Sequence, residues 1–136
     1  MKIDSRKIAL ISCSGEDLPE GTVSRVATRR ILEQRDDTVT ICLPLFLAGG
    51  QGERDFAKEN PCITVDGCQK MCAAVGVKKY GGVTPRSTIV ISEVAETLKC
   101  PKPTSKSKIT SDDEKLVQNV MKIIDEKIRT VKEGKN

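Results

Sequence analysis

The peptide Val65-Asp66-Gly67-Cys68-Gln69-Lys70-Met71-Cys72 sets two thiols four residues apart, directly after an apolar run. A helix starting at Cys68 would put both on one face, with β-carbons about 6 Å apart, which suits zinc-sulfur bonds of about 2.3 Å. Cys13 and Cys42 also end or follow apolar, strand-like runs. Four thiols at strand ends point to a metal or redox site. Four thiolates on Zn²⁺ carry two excess negative charges, for which Lys70, Lys78, Lys79 and the N-H groups of the expected helix are the nearby compensation. Spacing alone does not choose between zinc and an iron-sulfur cluster. A dithiol of Cys68 and Cys72 that cycles to a disulfide is a further alternative.

The elements that must carry these thiols are legible as a rhythm. Lys7 to Cys13, Thr38 to Cys42, Cys62 to Val65 and Ser87 to Ser92 read as strands. Between them, Thr22 to Gln34 places Val23, Ala27, Ile31 and Leu32 on one helical face, Glu53 to Lys58 begins a short helix, and Cys68 to Val75 forms another, stopped by Gly76. Strands alternating with helices predict a three-layer α/β fold with a mainly parallel sheet of about four strands. In such a sheet, ligands collect outside the carboxyl ends of the strands. Cys13, Cys42, Cys68 and Cys72 are therefore the predicted metal ligands, with Asp66 and Gly67 beside them to orient a ligand and allow the turn. Cys62 opens its strand at the far end from this site and Cys100 starts a linker, so neither is expected to take part.

Residues 1–98 form the predicted α/β domain, 99–110 the linker, and 111–136 a final amphipathic helix. Ser111 and Glu114 resemble a capping box, and Leu116, Val120, Ile123, Ile124 and Val131 form the apolar stripe. That stripe packs on the domain or pairs with a second copy in a homodimer. The formal charge of +4 resides in the tail: 13 basic against 13 acidic residues up to position 98, then 10 against 6. Such a face is ordinarily a solvated one. With only Phe46, Phe56 and Tyr80 as aromatics, the chain has little to stack on single-stranded nucleic acid, which argues against that partner. The expected partner is a protein or small molecule of unknown kind.

Several reactions are excluded by composition. Histidine is absent, which removes Ser-His-Asp and Cys-His catalysis and every imidazole zinc site. A phosphatase-type loop after Cys13 needs an arginine about six residues on to hold the oxyanion, and position 19 is Pro19. Gly49-Gly50-Gln51-Gly52 lacks the Walker lysine and reads as a flexible connection. An enzyme in which three thiolates hold zinc and Asp66 assists a bound water is the remaining catalytic alternative. No apolar run approaches a membrane span, and Met1 to Lys7 leads into a strand rather than a signal-peptide core, so a cytoplasmic location is expected. In that reducing setting, free thiols or metal ligands are expected rather than structural disulfides.

Taken in order, Ile8 to Gly15, Thr40-Ile41-Cys42-Leu43-Pro44 and Val65-Asp66-Gly67-Cys68 with Cys72 give the chain a likeness over roughly residues 7–98. It resembles the DGC-domain family, whose four cysteines are ascribed to zinc binding and whose Asp-Gly-Cys falls here at positions 66 to 68. The resemblance implies zinc as the metal and Cys13, Cys42, Cys68 and Cys72 as its ligands. The charged Glu53-Arg54-Asp55 departs from the more apolar helix expected there.

Overall fold

The computed structural model describes residues 5–13 and 15–134. The run Met1 to Asp4 and Ser14 of the expected Ser14-Gly15 turn lie outside the described residues, as do positions 135 and 136. Among those described, the elements run β1 (Ile8–Ser12), α1 (Pro19–Gln34), β2 (Thr38–Thr40), α2 (Leu43–Leu47), α3 (Gln51–Glu59), β3 (Cys62–Asp66), α4 (Cys72–Gly81), β4 (Ser87–Val90), α5 (Ile91–Thr97) and α6 (Ser111–Lys132). The strands form one parallel sheet in the order β2-β1-β3-β4. The α/β class and four strands match the sequence reading.

Both faces of the central strands are covered, so they read as continuous apolar runs rather than alternating ones. Ile8, Leu10, Ile63 and Val65 point to one face, where they pack with Val23, Ala27 and Ile31 of α1, Ile91 and Ala95 of α5, and the stripe of α6. Ala9, Ile11 and Cys62 point to the other, against Phe46 of α2, Ala57 of α3 and Val77 of α4. Helix α6 thus buries its stripe on this chain's own core. The segment before it is tied down as well, since the Thr22 hydroxyl donates to the Lys106 carbonyl at 2.6 Å.

Several boundaries differ from expectation, each for a tertiary reason. The fourth strand ends at Val90, and Ile91 and Ser92 open α5, because Ile91 and Ala95, four apart, bury together under α6. Gly49 and Gly50 form a tight joint between α2 and α3, with Gly52 already helical and Arg54 donating to the Phe46 carbonyl at 2.8 Å. In α6 the capping box is one residue earlier than expected, formed by Thr110 and Asp113. Asp113 is buried there.

One ion cluster fastens the end of α1 to α6. Arg35 donates to both carboxylate oxygens of Asp37, each at 2.8 Å, and to Asp125 at 3.1 Å. The Arg35 hydrogen bonds are the main reason the Asp37 carboxyl falls from its usual 3.8 to about 2. A carboxylate held low in the folded state stabilises the fold above its unfolded pKa and loses that contribution as pH falls through the folded one. Asp37→Asn should therefore cost about 1 kcal/mol at neutral pH, after discounting for partial solvent screening. The same variant should flatten the loss of stability between pH 4 and 2, measured by urea unfolding across that range.

Candidate functional site: a thiol-lined cavity at the switch point

The chain leaves β1 to one side to form β2 and later returns to the other side as β3, so a crevice opens outside the carboxyl ends of β1 and β3. A cavity of about 310 Å³ lies there. Its wall includes Cys13 and Gly15 after β1, Gly21 of α1, Asp66 at the end of β3, Gly67, Cys68 and Lys70 after it, Cys72 of α4, and Leu43 and Leu47 of α2. The structure thus brings Cys13, Cys68 and Cys72 to one cavity with Asp66 and Gly67. Cys42 is exposed just before Leu43 and is not part of the wall.

Gly67, expected beside the thiols, shapes this crevice together with Gly15 and Gly21, for which no role at the site was expected. Gly15 has φ +48, a conformation side chains disfavour, and a β-carbon there would lie 2.4 Å from Gly21 Cα. A β-carbon on Gly21 would stand 2.1 Å from the Gly15 carbonyl oxygen, and one on Gly67 would stand 2.7 Å from the Gly21 nitrogen. The loop after β1, the first turn of α1 and the loop after β3 therefore touch backbone to backbone. The available signal in the sequence is a glycine shortly after Cys13 and another just before Cys68.

Cys13 is held closely. Its Sγ accepts the Gly67 N-H at 3.2 Å and lies 3.4 Å from the Ser24 hydroxyl, which itself donates to the Gly21 carbonyl at 2.8 Å. Burial pushes the Cys13 thiol above its usual pKa, outweighing these hydrogen bonds, and the negative charges of Asp66 and Cys72 nearby push the same way.

The expected helix from Cys68 is corrected. Cys68 to Met71 form a turn closed by Met71 N-H to the Cys68 carbonyl at 3.1 Å, and α4 begins only at Cys72. Cys68 and Cys72 therefore do not share a helical face. The start of α4 is set from a distance by Asp66, which accepts the Ala73 N-H at 2.7 Å and the Ala74 N-H at 3.2 Å. Both carboxylate oxygens are thus engaged by the helix terminus, in an environment whose burial raises the carboxyl pKa. Met71 pays for the return of the chain with a left-handed φ of 52°. Nor does Gly76 stop the helix: a β-carbon there would lie 2.8 Å from Leu47 Cδ2, so it permits close packing on α2, and Gly82 ends the helix in the left-handed conformation.

The other two thiols lie elsewhere. Cys62 is buried at the start of β3, its Sγ 3.4 Å from the Ala57 carbonyl, and desolvation pushes its thiol up to about 11. Cys100 accepts from Asn119 of α6 at 3.6 Å. Among the described residues no three cysteine, aspartate or glutamate side chains stand close enough to share one ion as they are placed.

The fold and cavity define a three-layer, parallel α/β protein with thiols gathered at the sheet's switch point. A family model, the DGC domain, matches residues 9–121, and the chain belongs to that family. The match extends past the motif-bearing residues into α6, in accord with the burial of that helix on the common core. Neither curated proteins nor solved structures gave a match. Among the described residues no helix is long and apolar enough to cross a membrane.

Proposed function

We propose that this DGC-domain protein binds a thiophilic metal ion, zinc, at the switch-point cavity. The observation that carries the reading is the convergence of Cys13, Cys68 and Cys72, from two separate strand ends and one helix start, on a single cavity. The donor set fits the ion: thiolates favour zinc over hard cations, and Lys70 and the Gly67 N-H offset their charge. Side-chain rotation of Cys68 and Cys72 is needed to bring the donors to bonding distance. Cys42, one residue from the cavity wall, is the proposed fourth ligand. With four protein thiolates the ion would be structural or regulatory, with no open position for an activated water.

The test is native mass spectrometry of protein purified without oxygen, with iron and sulfide assayed on the same sample. About one zinc per chain is expected, lost in Cys13→Ser, Cys68→Ser and Cys72→Ser. Full zinc in Cys68→Ser would sink the assignment, and iron with sulfide would replace it by a cluster. A reduced metal content in Cys42→Ser identifies the fourth ligand.

A second reading is favoured by one observation. Cys13 and Cys72 line the same cavity, and among the described residues no group of three ligating side chains is assembled as placed. Two such thiols could pass two electrons and two protons to an oxidant such as glutathione disulfide and form a disulfide. Thiol counts in the metal-free protein before and after that oxidant test it, a drop of two per chain being the expected result.

A further inference from the structure

Among the described residues, the exposed large apolar side chains are Leu45, Leu47, Val75, Tyr80 and Leu98, and all but Leu98 lie on α2 and α4. These helices begin just after Cys42 and at Cys72, so their apolar side chains stand around the mouth of the thiol cavity. At about 100° per residue, the outer arc of α2 reads Leu47, Pro44, Ala48 and Leu45, all exposed, with Leu43 and Phe46 buried beneath it. Leu47 also reaches α4, where a β-carbon on Gly76 would stand 2.8 Å from its Cδ2, and Val75, 53% exposed, is the residue before that glycine. The Arg54 guanidinium carries the surface on to Tyr80, lying 5.6 Å from the Phe46 ring centroid and 5.7 Å from that of Tyr80. Single exposed apolar side chains are ordinary, whereas a contiguous group marks an interaction surface.

The charge around this surface has one sign. No charged residue occurs from Thr38 to Gly52, and the stretch from Gly67 to Ser92 contains Lys70, Lys78, Lys79 and Arg86 with no acidic residue. The even balance of charge over residues 1–98 hides this segregation. Lys70, Lys78 and Lys79 are exposed and form no ion pair among the described residues. Lys79 lies 5.4 Å from the Tyr80 ring centroid, so charge and apolar surface interleave there. A second copy docked through the same face would set lysines against lysines, which opposes self-pairing. An anionic bilayer spreads its charge evenly, and it would meet Asp17 in the cavity wall and Glu53, which shares the space above Gly50 with Leu45. A partner segment can instead place carboxylates opposite the lysines and apolar side chains opposite Leu45 and Val75.

We propose that α2 and α4 form a docking surface for an acidic amphipathic segment of a partner protein, seated over the mouth of the thiol cavity. Leu45, Leu47 and Val75 receive its apolar side chains, in the manner of a helix laid into a groove. Lys78 and Lys79 face its carboxylates, and Lys70 does so at the cavity rim. Cys42 and Cys72 are both exposed on this side, so a seated partner covers them and controls what reaches the thiols. The surface needs no ion, and its test is separate from that of the zinc site.

The full chain serves as bait for displayed random peptides, and the selected peptides are synthesised and titrated by NMR against nitrogen-15-labelled protein. The expected result is enrichment of peptides that combine aspartate or glutamate with large apolar residues. They should give saturable shifts at the Leu45, Val75 and Tyr80 amides and bind more weakly as ionic strength rises. Affinity should fall about tenfold in Val75→Ser, and by about as much or more in the double variant Lys78→Glu, Lys79→Glu. Both variants should keep the parent melting temperature, since the altered side chains are exposed. Selection of no binding peptide, enrichment of basic or uncharged ones, or unchanged affinity in both variants overturns the proposal. Sedimentation of the protein with phosphatidylserine vesicles, lost in the double variant, overturns it in favour of a bilayer. Concentration-dependent dimerisation lost in Val75→Ser overturns it in favour of a second copy.

Discussion

Gly21→Ala is expected to destabilise the fold by about 3 kcal/mol, at the upper end of the usual cost of overpacking. The sign is the informative part. In an ordinary helix the same change gains up to about 1 kcal/mol, because alanine loses less chain entropy than glycine on folding. Here the new β-carbon would stand 2.1 Å from the Gly15 carbonyl oxygen and 2.4 Å from Gly15 Cα. Both are backbone atoms, in a loop tied to β1 on one side and α1 on the other, so no rotamer change relieves the clash. Gly52→Ala is the matched control, since it is also helical and a β-carbon there would have nothing within 4 Å. It should be neutral or stabilising by urea unfolding. If Gly21→Ala behaved like the control, the loop after β1 would not rest on α1, and the cavity would not have the shape described.

Asp66→Ala is expected to cost about 3 kcal/mol, combining a lost helix cap with two buried N-H groups left without acceptors. The carboxylate does for α4 what a serine or aspartate at the cap position ordinarily does, but it reaches Ala73 and Ala74 from the end of β3. Asp66→Asn retains one amide oxygen as an acceptor and forgoes the burial of a charge, so its loss should be about half as large. The two variants also separate roles. A cap predicts lost stability with amide exchange accelerated at Ala73 and Ala74, whereas a carboxylate serving only a bound ion would leave the metal-free protein as stable as the parent. The latter result would return Asp66 to the metal site and remove it from the helix.

The relation between those residues also explains how much of the molecule could be read before folding it. The interior strands β1 and β3 were legible because each is buried on both faces, and runs such as Ile8-Ala9-Leu10-Ile11 need no partner to be recognised, while the edge strands β2 and β4 showed as short runs rich in β-branched residues. The gathering of Cys13 and Cys68 followed from the same pattern, since both succeed strands that end on the same side of the sheet. Even the stripe of α6 was present as spacing, and Leu116, Val120, Ile124 and Val131 are buried as that spacing implies.

What tertiary structure decided was the placement of ends and close approaches. Helix α4 starts at Cys72 because a carboxylate seven residues before Ala73 meets its N-H, beyond the reach of a local capping pattern. With α4 starting there, Cys68 falls in the turn before the helix. The capping box of α6 settled on Thr110 and Asp113 rather than Ser111 and Glu114, two patterns offset by one residue, and burial of Asp113 distinguishes them. Gly67 was legible as a turn residue, but its contact with Gly21, and that of Gly21 with Gly15, exist only once β1, α1 and β3 are assembled. The sequence by itself determined which residues are apolar enough to build the sheet and which thiols follow it. Distances across the switch point, and so the shape of the cavity those thiols line, arise from contacts between segments that no local periodicity encodes.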